Sequence, residues 1–496
     1  MGWRIIHVRR NLVEPRSPGL AVATGEAGRW LSERREFLDR QGILERTPFL
    51  IAPDGRYDMV LHRFFDELST QSAWNTQQAV ASDLKCFFNF LWFNRAPVRQ
   101  RGWRDASRQD RIAYKKWRLF DPKGPLNAHS SWDREVASAN RFYSWAVREG
   151  HLGASPIATR SEVYRNHMGR RVSREVPRET SHRGQRNSVA WFTPTMYQSW
   201  RDVGLRGYLP DGRENRSFRG RWGSRDAAYT DLMIRTGLRN SEQASLSLYE
   251  LPSRAKGVMN FRVLLPASIA KGGSSRAIYF PRSVLHDVWD YVEMERADAV
   301  EYARRHRLYD NVEDPLFIED PGQPIVVVSP GVRRDVRALD HDQRRRLLIR
   351  KPEGFEPAAL WLNQYGLPTR ATTWESVFDR ANGRCIRYGV GLRCHPHLLR
   401  HSMAVITLEQ LWRGHLEVLG AQTELQRRTY QMVYGDPLRW VQMRLGHARL
   451  SSTLRYQHTL HELEMETRMA LIPDAFEGLA THADDFGNDG IEETDT

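Results

Sequence analysis

Four separated segments of this 496-residue chain hold side chains suited to chemistry on a phosphate ester. The first, TGLRNSEQASLSL (236–248), leaves Arg239 at the junction between a helix that ends at Gly237 and one that begins near Ser241, with Glu242 three residues on. The second, AKGGSSRAIYF (270–280), puts Lys271 at a hairpin tip. In the third, CHPHLLRHSMAVITLEQL (394–411), Pro396 opens a helix, so His397, Arg400 and His401 lie on nearby faces at i, i+3 and i+4. The fourth, RLGHARLSSTLRYQHTL (444–460), breaks at Gly446 before His447 and carries Tyr456 nine residues beyond that His. A phosphodiester under attack gathers charge on its non-bridging oxygens, which permanently protonated guanidinium forks stabilise. A Tyr hydroxyl, pKa ~10, attacks only once its proton is taken or its target polarised. Cys394, His395, His397 and His401 also pose a metal reading. That run is too tight to present every side chain to one ion, and no Asp/Glu set or second Cys/His cluster accompanies it. Alone, each segment reads as readily as a solvated turn or a core aromatic; their order and spacing decide.

Such residues need a frame to hold them. From Trp191 the pattern is compact, with a helix from about Arg225 to Arg235 stopped by Gly237. KGVMNFRVLLP and RAIYFP read as strands joined by the turn Lys271-Gly272-Gly273. Helices resume from Ser283 towards His306, the stretches 315–328 and 359–368 read as strand or loop with Gly/Pro turns, and VRRDVRALDHDQRRRLLIRK between them reads as a basic helical insertion. Upstream, Leu61, Phe64, Phe65 and Leu68 recur at helical spacing. A second helix carries Leu84, Phe87, Phe88, Leu91 and Trp92 after a capping break at Asn75 and Thr76, and a third carries Ala139, Phe142, Tyr143 and Ala146. These predict a small helical domain over 56–158. Arg160 to Arg186 holds eight Arg and three Glu without apolar period, an extended basic linker over 159–190 suited to lie along phosphates. Residues 1–55 show no period and read as an extension of unknown role; 471–496 reads as an acidic, flexible tail.

Composition bounds the function class. Hydrophobic residues at 40% and charged residues at 27% describe a globular chain. A net charge of +14 points to a polyanion, because clustered Lys and Arg displace counterions from nucleic acid. The last 23 residues, from Asp474, hold eight Asp/Glu and no Lys/Arg, so the basic charge belongs to the body. Three scattered cysteines, Cys86, Cys385 and Cys394, make no disulfide framework and imply a reducing compartment. Neither a signal peptide nor an apolar run of ~18 residues is present, so the expected location is cytoplasmic, nucleoid-associated when on DNA, with no membrane partner.

Taken in order, the four segments resemble the signature of the tyrosine recombinase (phage integrase) family. The match comprises a Gly-Leu-Arg turn with Glu three residues on, a Lys in a β-turn, His-x-Leu-Arg-His-Ser, Leu-Gly-His, and a Tyr nine residues after that His. It covers 191–470 in detail and 56–158 in outline, with enlarged stretches near 283–391 and 412–436. The resemblance implies a mainly α fold with a small antiparallel sheet: a helical core-binding (SAM-like) domain before a DNA breaking-rejoining catalytic domain over 191–470. It implies site-specific DNA recombination through a 3′-phosphotyrosine, encoded by a mobile element, on double-stranded DNA, as a homo-tetramer on two sites with accessory proteins as further partners. The implied catalytic residues are Arg239, Lys271, His397, Arg400, His447 and Tyr456, without cofactor, metal or ATP. Arg239, Arg400 and His447 would stabilise the phosphate, His397 take the Tyr456 proton, Lys271 protonate the departing 5′ oxygen, and Glu242 orient Arg239. A type IB topoisomerase-like activity shares this chemistry and stands as the alternative, with a non-catalytic DNA-binding protein and a metal-dependent nuclease behind it.

Overall fold

Leu61, Phe64, Phe65 and Leu68 are all buried on one face of α1 (Met59–Gln71), whose first N–H groups are capped by the Asp58 carboxylate. The computed structural model describes residues 2–8, 33, 36–38, 40–95, 100–165, 170–181, 189–220, 222–329, 331–420 and 436–469. They fall into two units, Met1–Gln185 and Arg186–Thr496.

In the first unit, α1 is followed by α2 (Trp74–Asn94), α3 (Arg108–Leu119) and α4 (His129–Arg148). The cap of α2 is Ala73, so the polar pair Asn75-Thr76 lies inside the helix rather than before it. Sequence periodicity missed α3, a polar helix announced only by the capping box of Ser107 and Asp110. Aromatic rings fill the core: Phe87, Tyr114, Trp103, Phe142 and Tyr143 are at most 2% exposed. The described part of the N-terminal extension joins that core. Strands β1 (Arg4–His7) and β2 (Pro48–Ile51) pair antiparallel, and Trp3, Leu50 and Ala52 pack with the helices. The stretch expected as an extended linker also differs: β3 (Thr159–Arg165) and β4 (Arg171–Pro177) form an antiparallel hairpin. Its end is anchored where Glu179 accepts from Arg111 at 2.7 and 3.1 Å and offers its backbone carbonyl to Trp132 and Lys115. The basic count hid the β-branched Thr159, Val163, Val172 and Val176, which suit a ladder.

The second unit runs α5 (Pro194–Arg201), α6 (Gly223–Thr236), α7 (Asn240–Ala244), β5 (Asn260–Leu265), β6 (Arg276–Pro281), α8 (Arg282–Glu293) and α9 (Glu295–Arg305). Next come β7 (Leu316–Ile318), β8 (Ile325–Ser329), β9 (Val332–Asp335), α10 (His341–Arg345), β10 (Leu347–Lys351) and β11 (Gly354–Pro357). It closes with α11 (Ala371–Arg387), α12 (Pro396–Gly420), α13 (Pro437–Leu445) and α14 (Ser451–Met469). The molecule is mainly helical. Its sheets are small: β5–β6 and β8–β9 are antiparallel pairs, and β10 lies between antiparallel β11 and parallel β7. Helix α6 is central, with Tyr229 stacked on Trp374 at 3.5 Å and meeting Trp361 edge-on. The segment expected as a basic helical insertion holds two strands and one five-residue helix. There Val336, Leu339, Leu347, Leu348 and Ile349 are buried among intervening arginines, and burial of those apolar positions outweighs the helix propensity of Arg. No described helix is long and apolar enough to cross a membrane.

Candidate active site

Pro396 starts α12 and sets Arg400 one turn in, 2% exposed. Its two terminal nitrogens donate to the carbonyls of Gly237 and Leu445, at the ends of α6 and α13. Helix C-termini leave carbonyls without intrahelical partners and carry negative potential, so both ends suit a guanidinium. Each of the two helices stops at a glycine in the left-handed region, Gly237 (φ 67°) and Gly446 (φ 63°). A Cβ on Gly237 would also sit 3.0 Å from Met403 Sδ and 3.1 Å from Leu445 Cδ2. Burial, then the charges of Arg239 and Arg276, lowers the Arg400 pKa to about 9. A bound anion would relieve that crowding.

Arg239 caps α7 and is locked by Glu242, which accepts from its backbone N–H at 3.0 Å and from its Nη1 at 2.9 Å. Glu242 is 0% exposed and also receives Arg276 Nη2 at 2.6 Å and Nη1 at 3.2 Å. Burial pushes this carboxyl up, but the bonds and charge of Arg276 and then of Arg239 override it and hold the group at about 2. The same carboxylate accepts the Lys271 backbone N–H at 3.2 Å, fixing the β5–β6 turn beside Arg239 while the Lys271 side chain stays exposed.

Tyr456, on α14, is 1% exposed among Met403, Leu408, Leu438, Val441, Leu445 and Leu460. Its hydroxyl lies 2.9 Å from His401 Nδ1. Burial, then His397, Arg455 and Arg400, depresses His401 to about 4, so at neutral pH the ring is uncharged and, with its proton on Nε2, accepts the Tyr456 O–H. His447 stacks at 6.1 Å and 17° on Tyr456, with Nδ1 3.0 Å from Thr453 Oγ1, and burial followed by Arg400 and Arg239 depresses it to about 3. His397 is exposed, its ring 5.9 Å from that of His401. Partial desolvation, then Arg400, lowers its pKa. Burial raises the Tyr456 pKa against the opposing pull of Arg400, Arg455 and Arg239.

The fold thus gathers Arg239, Arg400, His447 and Tyr456, brings Lys271 by its backbone, and leaves His397 behind His401 rather than on the Tyr hydroxyl. Sequence reasoning missed Arg276 and gave His401 no role beyond the metal reading. Arg276 had a signal: it shares inward parity with Ile278 and Phe280 on an apolar strand, where a guanidinium needs a buried partner. Cys394 Sγ points to the His395 carbonyl and His395 Nδ1 accepts from Leu398 N–H. Among the described residues, no group of three or more His, Cys, Asp or Glu is placed to hold a metal ion. Tyr430 and Tyr434, the side chains of Met465 and Met469, Leu471, Ile472 and the acidic tail lie outside the described residues.

No family model matches the chain. A tyrosine recombinase XerD of Shewanella oneidensis is 22% identical over 403 residues, 81% of this chain and 92% of that protein. A tyrosine recombinase XerC of Bacillus subtilis is 27% identical over 165 residues, 33% of this chain and 45% of that protein. Among solved structures, XerH recombinase bound to its difH substrate aligns over 90% of each chain with a TM-score of 0.43 and 11% identity. The sequence likeness to these tyrosine recombinases spans four fifths of the chain and accompanies the complete ordered set from Arg239 to Tyr456.

Proposed function

We propose that the chain is a site-specific DNA recombinase that cuts and rejoins duplex DNA through a 3′-phosphotyrosine at Tyr456. The observation that carries this reading is the Tyr456 hydroxyl held 2.9 Å from a neutral His401, with the buried Arg400 of α12 and the Glu242-locked Arg239 contributing to its field. In the proposed step, the Tyr456 oxygen bonds to phosphorus as the bond to the 5′ oxygen breaks. The phenolic proton passes to His401 Nδ1, and the Lys271 ammonium gives a proton to the leaving oxygen. Arg239, Arg400 and His447 donate to the non-bridging oxygens. Attack by a second strand's 5′ hydroxyl reverses every transfer, so each phosphodiester broken is replaced without ATP. Charge stabilisation by fixed guanidinium groups supports a reaction that runs without divalent metal. The proposed partners are double-stranded DNA, three further copies of the chain on two sites, and accessory recombination proteins.

The test is a nicked suicide substrate carrying the cognate site, in excess EDTA. Wild type should trap protein on a 3′ phosphate that survives denaturing electrophoresis. Tyr456→Phe should abolish the adduct and retain DNA binding, while Tyr430→Phe and Tyr434→Phe still form it. Trapping by Tyr456→Phe, or strict need for added divalent ion, would overturn the corresponding part of the mechanism.

A further inference from the structure

Basic residues between β7 and β11 sort into two classes. Arg344 is buried on Glu250 at 2.9 and 3.1 Å; Arg345 pairs with Asp342, Arg346 with Asp314, Arg350 with Glu319 at 2.6 Å and Lys351 with Glu356 at 3.1 Å. Arg333 and Arg334 on β9 and Arg337 in the turn after it are exposed, and among the described residues none of the three forms an ion pair. The acids beside them are committed elsewhere. Asp335 accepts the backbone N–H of Arg337 at 2.7 Å, and Asp340 caps α10 through the N–H groups of Asp342 and Gln343. Three solvent-facing guanidinium groups within five residues repel one another unless an anion neutralises them.

Their place is fixed, and it adjoins the site. Ser268 Oγ donates to the Arg337 carbonyl at 2.6 Å, three residues before Lys271. On the other side, His341 Nδ1 lies 2.6 Å from Ser245 Oγ, and Arg344 donates to the Ser245 carbonyl at 3.2 Å; Ser245 ends α7, which Arg239 begins. Residues 337–344 are thus pinned to both segments that deliver cations to the scissile position. Val326, Val336 and Leu339 are fully buried, so the segment that carries the three arginines is anchored in a packed base.

We propose that Arg333, Arg334 and Arg337 form a second contact to the duplex backbone, flanking the phosphate held by Arg239 and Arg400. The contact rests on the recombinase reading for its ligand. A duplex presents a phosphate charge every ~1.7 Å of axis, so a strand engaged at Lys271 continues onto whatever adjoins that turn. Neutralising phosphates with side chains that reach no base makes the contact one of affinity and register, not of sequence.

The experiment is binding of the full chain to duplex containing the site, titrated across salt. The triple substitution Arg333→Gln, Arg334→Gln, Arg337→Gln should make the slope of log K against log salt shallower by about 2 to 3, at ~0.9 per lost phosphate contact, and weaken low-salt affinity by at least tenfold. A charge-matched control, Arg345→Gln, Arg346→Gln, Arg350→Gln, should change the slope by less than half as much. Adduct formed by the first variant at saturating suicide substrate should match wild type. Equal slopes for wild type and the stripe variant, or equal effects of both triples, overturn the proposal. So does an effect that vanishes when residues 474–496 are deleted, which would make the acidic tail the occupant. If the slope falls as stated but Tyr456→Phe still traps DNA, the contact stands and the chemistry assigned to Tyr456 falls.

Discussion

At the scale of single residues, Glu242 bears a heavy electrostatic demand, because one buried carboxylate neutralises Arg276 and Arg239 and holds the Lys271 turn. Its removal leaves the buried Arg276 and the half-buried Arg239 without their carboxylate, so Glu242→Ala should cost about 3–5 kcal/mol in denaturant unfolding and abolish adduct formation. Its folded pKa, about 2, lies below that of the unfolded carboxyl. Its stabilisation is therefore complete above pH ~4.3 and is lost as pH falls towards 2; Glu242→Gln should lose that dependence in acid melts. His401 is also depressed, but as a base: with a folded value of about 4, the neutral ring contributes stability above pH ~6.5 that is lost between there and 4. His401→Gln should flatten the melting temperature over that window and slow adduct formation by about 100-fold, the lower end of general-base effects. A faster variant would mean that His401 restrains Tyr456 instead of serving it. The spacing of sequence motifs picked out Arg400, His447 and Tyr456, which meet in one core. It could not show which imidazole holds the hydroxyl, because His397 and His401 are four residues apart on one helix and only the packing of α14 separates them.

Among elements, two glycines in the left-handed region do unequal work. Gly237→Ala meets both a left-handed φ of 67° and the close approach of Met403 and Leu445, whereas Gly257 (φ 80°) has nothing within 4 Å of a Cβ. Gly257→Ala should cost about 1 kcal/mol from backbone strain alone, and Gly237→Ala about 2–3 kcal/mol, read from urea midpoints. Gly237→Ala should also reduce adduct yield, because its carbonyl holds Arg400. Helices with an apolar stripe, such as α1 and α4, were legible, and so was the β5–β6 hairpin. The polar α3, the β3–β4 hairpin and the strands β9 and β10 were not. α3, the β3–β4 hairpin and β9 are dominated by Arg, Lys or other polar residues and β10 follows a run of three arginines, and a partner distant in sequence contributes to each structure: Glu135 for Arg118 on α3, Leu316 for Leu347 on β10.

For the molecule as a whole, each unit owns a hydrophobic core. The first is built on Phe65, Phe87, Trp132 and Phe142, the second on Trp200, Tyr229, Trp361 and Trp374. Residues 1–185, produced alone, should therefore melt cooperatively, with near-ultraviolet dichroism from the packed aromatics; a gradual melt without that signal would show that the unit depends on the rest of the chain. A short strand near residue 5 finds its mate near residue 50, a pairing no local pattern announces.

With Tyr456 only 1% exposed, its hydroxyl is out of reach of any phosphate until the surrounding core yields. On the proposed chemistry, the cleavage rate should equal the intrinsic rate multiplied by the opened fraction. Every ~1.4 kcal/mol that better packing around Met403, Leu438 or Leu460 adds to the closed form removes tenfold from turnover, with the reacting groups untouched. Thermal robustness and catalytic speed are thereby opposed in this one cluster, and variants selected for heat resistance there should emerge slow.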